Sequence, residues 1–163
     1  MLTKLTRHLG PLRGKRVALL GLAFKPNTND VREAASLVLA SRLLAEGAFV
    51  RAWDPVALGE AAPLLGDDVE LCDNVLAAVD GADAAVVVTE WPELGEVPLA
   101  AIHAVMRLPL IIDGRNALDP EAVRSAGFAY EPIGRPEQAV PLPAHALRRH
   151  AHPRLRHLWV EPA

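Results

Sequence analysis

The sequence predicts an α/β fold, a doubly wound and mostly parallel sheet with helices on both faces. Three observations lead there. Apolar runs at 17–20, 84–88 and 110–112 are continuous rather than alternating, as expected of strands covered on both faces. Helix-patterned stretches alternate with them, the spacing of βαβ units. Gly, Pro, Asp, Asn and Arg gather directly after the strand runs, on the side where such sheets bind ligands.

The chain has 163 residues, 51% of them apolar, which suits one domain with a proper core. A net charge of −3 supplies no basic field for nucleic acid. The single cysteine, Cys72, allows no internal disulfide and no cysteine-based metal site, which fits a reducing compartment. No run approaches the ~18 apolar residues of a membrane span, and no signal-peptide core stands at the start. The expectation is a cytoplasmic protein without nucleic-acid, membrane or metal partners.

In chain order, 2–9 predicts a short helix with Leu2, Leu5 and Leu9 on one side, ended by Pro11. Residues 1–14 read as the end of a longer entering helix. The strand at 17–20 runs into Gly21, where the backbone turns and a Cβ would obstruct. Pro26 keeps that strand from continuing. Thr28, Asn29 and Asp30 are N-cap residues, and Asp30 with Glu33 has capping-box spacing. A helix is therefore predicted over 31–45, ended by Gly47. The loop then points at a helix N-terminus, where free N–H groups and the macrodipole favour anions.

A second strand follows at 48–53, closed by Asp54-Pro55. A short helix at 58–65 and a brief strand at 69–71 come next. Asp73 or Asn74 caps a helix to Val79, ended by Gly81. The strand at 84–88 ends in Thr89-Glu90-Trp91. Pro98 opens a helix running to Met106 or Arg107. The strand at 110–112 ends in Asp113-Gly114-Arg115-Asn116. A helical turn at 120–125 and a last strand at 128–130 complete a domain over 15–135. Six of the fourteen prolines lie from Pro132 onward, mixed with His and Arg. Residues 136–163 therefore read as a loosely ordered tail.

The loop after the first strand carries the candidate chemistry. Lys25 is a mobile point charge able to hold phosphate; the plain alternative is a solvated loop lysine. Arg32 would sit in the first helical turn, where a cation is unfavourable, so it reads either as functional or as paired with Asp30 or Glu33. Arg115, at a strand end, is placed to reach a ligand, or to pair with Asp113 or Asp119. Asp54 reads as a turn and cap residue. Thr89, Glu90 and Trp91 frame either a cleft mouth or an interface. Cys72 reads as a small buried hydrophobe and His103 as a packing residue. No nucleophile–base set stands out, so no catalytic residue is assigned. A dinucleotide fingerprint needs G-x-G-x-x-G and an acidic residue about 20 positions on. Only Gly21 fits; Ala23 and Pro26 occupy the other glycine positions, and Asp54 lies well beyond that spacing.

The run Gly21-Leu-Ala-Phe-Lys25-Pro-Asn-Thr-Asn-Asp30-Val-Arg32-Glu resembles the start of the C-terminal domain of the UDP-glucose/GDP-mannose dehydrogenase family. Four further matches follow in order: Gly47 to Pro55, Ala82-Asp83-Ala84 with Thr89-Glu90-Trp91, Asp113-Gly114-Arg115-Asn116, and Gly127 to Gly134. The resemblance covers 15–135 and is nearest to bacterial enzymes acting on UDP-glucose. It departs at Asn29, where an aspartate is usual, and at Ala35, where a proline is.

The resemblance implies a Rossmann-like nucleotide-sugar-binding domain of an NAD-dependent UDP-glucose 6-dehydrogenase. Such an enzyme oxidises the sugar C6 alcohol to a carboxylate through a cysteine thioester. It implies that Phe24, Lys25 and Arg115 contact the UDP-sugar and that Arg32 reaches toward NAD. Neither the glycine fingerprint of the family's NAD domain nor the cysteine motif of its middle domain is found in these 163 residues. The isolated chain is therefore expected to be inactive and to need those domains as partners. The alternatives are a non-catalytic nucleotide-binding or homo-oligomerising module, and an unrelated NAD-binding domain.

Overall fold

A computed structural model of the chain describes residues 1–134. The tail expected at 136–163, and Arg135 at the end of the resemblance, lie outside the described residues. Six strands form one parallel sheet in the order β3-β2-β1-β4-β5-β6. They are β1 (Arg16–Leu20), β2 (Phe49–Trp53), β3 (Val69–Leu71), β4 (Ala84–Val87), β5 (Leu110–Asp113) and β6 (Ala129–Pro132). The crossover helices are α2 (Ala35–Ala45), α3 (Leu58–Leu65), α4 (Val75–Val79), α5 (Leu99–Val105) and α6 (Pro120–Ser125), with α1 (Leu2–Leu9) leading in. This is the doubly wound, Rossmann-like fold expected from the apolar runs.

The continuous runs are continuous because both sheet faces are covered: β4 and β5 are buried at every position. Helix α2 packs against α1 and α3, while α4 packs against α5 and β1. Leu19, Val86 and Ile112 in the sheet, with Leu5, Leu12, Leu43 and Phe128, are fully buried in one core. Short-range signals placed most boundaries well. Asn74 caps α4 through Ala77 N–H at 2.9 Å, and Asp119 caps α6 through Ala122 N–H at 2.7 Å. Pro98 stands one position earlier than expected, as the N-cap of α5. The 3₁₀ turn Pro92–Gly95 was not foreseen.

The largest difference is at the start of α2. The helix begins at Ala35 and not at 31, and its N-cap Ala34 has no side-chain cap. The capping box fails for two reasons. The Asp30 carboxylate is taken by Arg32, from its backbone N–H at 3.0 Å and from its guanidinium. Glu33 adopts φ 56°, left-handed backbone that cannot sit in a helix. Arg32 thus lies in the loop, and the expected clash between its charge and a helix start does not arise.

Helix α1 is held on the sheet by a part-buried ion cluster. Glu131 on β6 meets Lys4 Nζ at 2.5 Å and His8 Nε2 at 3.0 Å. Burial pushes the Glu131 carboxyl up, but the hydrogen bonds from Lys4 and then His8 outweigh it and hold the group below its ordinary value of 4.5. A depressed carboxyl stabilises above its unfolded pKa and loses that contribution as pH falls through its folded value. Titration below pH 4.5 is therefore expected to release α1 before the sheet unfolds. Amide exchange in α1 should rise first in wild type, and Glu131→Gln should erase the pH dependence of that step.

Candidate functional site

Register fixes where the site can be. Leu20 is level with Trp53 and with Val87, and Val87 is level with Asp113. The loops leaving β1, β2, β4 and β5 therefore open on one sheet edge, the edge on which the candidate residues were placed from sequence.

At Gly21 the chain turns at φ 94°, and a Cβ there would stand 2.5 Å from Thr89 Cβ and 2.7 Å from Thr89 N. The next two amides, Leu22 N–H and Ala23 N–H, point at Asp54 Oδ2, at 2.7 and 3.0 Å. In a dinucleotide-binding sheet the amides of this turn face pyrophosphate. Here a protein carboxylate fills that role. Asp54 is 1% exposed and accepts five hydrogen bonds. The other three come from Val56 N–H and Ala57 N–H, on Oδ1, and from Trp91 Nε1 at 2.9 Å, on Oδ2. Asp54 is the turn residue that its position suggested, and it also closes the β1 loop. The amides of that turn do not fit a bound pyrophosphate.

Beyond Ala23 the loop bends outward. Phe24 N–H donates to Asp30 O at 2.8 Å, and Thr28 Oγ1 accepts from Asp30 N–H at 3.1 Å. Asn27 and Glu33 both hold positive φ, a local strain that loops at functional sites often carry. Phe24 is 58% exposed, and with Asp30, Arg32 and Glu33 it lines a groove of about 420 Å³. Lys25 is exposed beside it and makes no hydrogen bond or ion pair among the described residues. The Arg32 guanidinium grips Asp30, at 2.9 Å through Nε and 2.7 Å through Nη2. Those hydrogen bonds, with that from the Arg32 backbone, bring the Asp30 carboxyl down to about 2. Arg32 thus has the partner that was the plainer of its two readings.

Arg115 follows β5, and its guanidinium pairs with neither Asp113 nor Asp119. Asp113 already accepts from Tyr130 OH at 2.8 Å, Leu118 N–H at 3.0 Å and Arg115's own N–H at 2.9 Å. Asp119 is spent on capping α6. The guanidinium goes instead to Glu90, from Nε and from Nη2, the latter at 2.7 Å. The hydrogen bond from Arg115 holds the Glu90 carboxyl below its usual range. Arg115 is not a wall of the Phe24 groove; it stands along the same edge, tied to that loop through the residues after β4.

Those residues, Thr89-Glu90-Trp91, are what sequence reasoning left undecided. Thr89 Oγ1 donates to Ala23 O at 2.6 Å, Glu90 receives Arg115, and Trp91 donates to Asp54. Three consecutive side chains join three different loops. The signal was a hydroxyl, a carboxylate and an indole N–H in a row after a buried strand. Which partner each would find depends on strand order and not on spacing.

Cys72 is buried, and burial pushes its thiol up, away from nucleophilic use. His103 stacks edge-on against Phe128, centroids 5.2 Å apart, the packing role expected. Among the described residues no cluster of His, Cys, Asp and Glu could hold a metal, and no helix is long and apolar enough to cross a membrane. A second cavity of about 260 Å³ opens between Arg16, Phe49, Arg51 and Asp68. It lies near the amino ends of β1 and β2, away from the loops just described.

Comparison with known proteins agrees with this fold. Residues 18–120 match the model of the UDP-glucose/GDP-mannose dehydrogenase family, UDP binding domain. The chain is 44% identical over 133 residues to UDP-glucose 6-dehydrogenase TuaD of Bacillus subtilis, covering 82% of this chain and 29% of that protein. It is 48% identical over 132 residues to UDP-glucose 6-dehydrogenase of Pseudomonas aeruginosa, covering 78% and 29%. Among solved structures, a UDP-glucose dehydrogenase from Pyrobaculum islandicum superposes with a TM-score of 0.68 at 36% identity, over 80% of this chain and 28% of that one. An NDP-N-acetyl-D-galactosaminuronic acid dehydrogenase from Methanosarcina mazei gives 0.70 at 32%, over 82% and 27%. The chain thus spans under a third of the length of these relatives. With the fold, the ordered motifs and the matched segment in agreement, the chain belongs to the UDP-glucose/GDP-mannose dehydrogenase family and carries its UDP binding domain.

Proposed function

We propose that this domain holds the UDP-sugar for an NAD-dependent UDP-glucose 6-dehydrogenase, which oxidises the sugar C6 alcohol to a carboxylate. Phe24 and Lys25 form one wall of the nucleotide-sugar cleft, and Arg115 meets the substrate from the β5 side. One observation carries the reading: Asp54 occupies the amides that a dinucleotide would need, while Lys25 and part of the Arg115 guanidinium remain available on the same edge. NAD, which accepts hydride when bound, is assigned to another domain, with Arg32 reaching toward it. That domain and the one carrying the reactive cysteine are the partners, and the cytoplasm is the compartment. The likeness to UDP-glucose 6-dehydrogenases, and the pairing of a phosphate-seeking lysine with a fork-shaped guanidinium, support this assignment.

Calorimetry of this chain with UDP and with NAD tests it. UDP is expected to bind weakly, because one wall of a cleft leaves much of the ordering cost uncompensated. NAD should bind less well still. Arg115→Ala should abolish UDP binding with the fold intact. NAD binding tighter than UDP, or unchanged UDP affinity in Arg115→Ala, would overturn the reading.

A further inference from the structure

Arg115 is fixed at both ends. Its backbone N–H sits on Asp113 Oδ1, whose partner oxygen is pinned by Tyr130 OH and Leu118 N–H. Its guanidinium is gripped by Glu90 through Nε and Nη2. A guanidinium has five N–H donors in a rigid fork. Two of the five are used by Glu90, and among the described residues the group makes no other hydrogen bond. The Nε–Nη2 edge is therefore occupied, while the outer Nη1–Nη2 edge keeps its donors. With the side chain 40% exposed, solvent has access to the group. Glu90 is itself held on both sides in sequence, since Thr89 is bound to Ala23 and Trp91 to Asp54.

From this arrangement we infer that Glu90 is a positioning residue for nucleotide-sugar binding: it orients Arg115 so that the outer guanidinium edge meets the ligand's diphosphate. The inference rests on the assignment of Arg115 to the UDP-sugar. Glu90 touches no ligand in this scheme. It acts by freezing a long side chain before the ligand arrives, so that the ordering cost is not charged to binding. Bidentate, planar recognition of phosphate is what arginine supplies and lysine does not, and it demands a fixed plane. The tripeptide then has a division of labour. Thr89 and Trp91 set the β1 loop that carries Phe24 and Lys25, and Glu90 sets the arginine.

The test is an NMR titration of the whole chain with UDP, following the Arg115 Nε–H signal and thermal stability together. In wild type that signal should be protected from exchange. Glu90→Ala should lose the protection, weaken UDP binding about tenfold and leave the melting temperature nearly unchanged. Glu90→Gln keeps one acceptor oxygen and should fall between the two. UDP binding in Glu90→Ala as tight as wild type, or tighter, would overturn the inference while the reading of Arg115 stands, provided Arg115→Ala still abolishes binding. Wild type that does not bind UDP would overturn the reading itself and the inference with it.

Discussion

Replacing Asp54 with alanine is expected to cost more stability than any other single polar substitution at this edge. Five donors lose their acceptor at once: the amides of Leu22, Ala23, Val56 and Ala57, and the Trp91 indole. A buried donor left without a partner costs about 1–3 kcal/mol. Water entering the vacated space recovers part of that, so the sum is not simply additive. A net loss of about 4 kcal/mol or more is expected, a large fraction of the ~5–15 kcal/mol that holds a domain together. Urea unfolding checks this: the midpoint should fall sharply with the slope unchanged. Asp54→Asn preserves shape and one oxygen but turns an NH2 toward amide donors, so it should lie between. A loss under about 1 kcal/mol for alanine would mean that the five hydrogen bonds are not what closes the loop.

The second large effect belongs to Gly21. At φ 94° any side chain is strained, at a cost of about 1–3 kcal/mol. Here the new Cβ also collides with Thr89, with both its Cβ and its backbone N under 3 Å away. Overpacking of that kind adds about 1–3 kcal/mol more. Gly21→Ala should therefore destabilise by about 3 kcal/mol or more, read as a drop in melting temperature. Thr89→Gly in the same chain should relieve only part of it, because the collision with the backbone nitrogen remains. Full rescue by Thr89→Gly would show that the side-chain contact alone makes the glycine necessary.

Much of the fold could be read from local pattern, and the reason is visible in the structure. Buried parallel strands are uniform apolar runs, so 84–88 and 110–112 announced themselves. Caps such as Asn74 and Asp119 act within three residues. The start of α2 was misread because Asp30 and Glu33 had the spacing of a cap, while Arg32 between them competed for the same carboxylate. The side-chain closures of the site were not legible at all. Asp54 with Leu22, Thr89 with Ala23, and Glu90 with Arg115 are separated by 32, 66 and 25 residues. Only the strand order brings them together. The sequence marked Phe24, Lys25 and Arg115 as residues after strand ends and Arg32 as one in the first turn of a helix. It could not tell that Phe24 and Arg32 line one groove while Arg115 is held apart by Glu90.

Asp54 has one further consequence. An anion tethered to the chain has an effective concentration that no dilution lowers. The turn after β1 therefore has its acceptor from the moment the strands align, whatever the nucleotide supply. In a site that borrows the ligand's phosphate for this purpose, the loop's order rises and falls with ligand. Here the inner half of the loop is closed by the chain's own carboxylate, with no ligand needed for it.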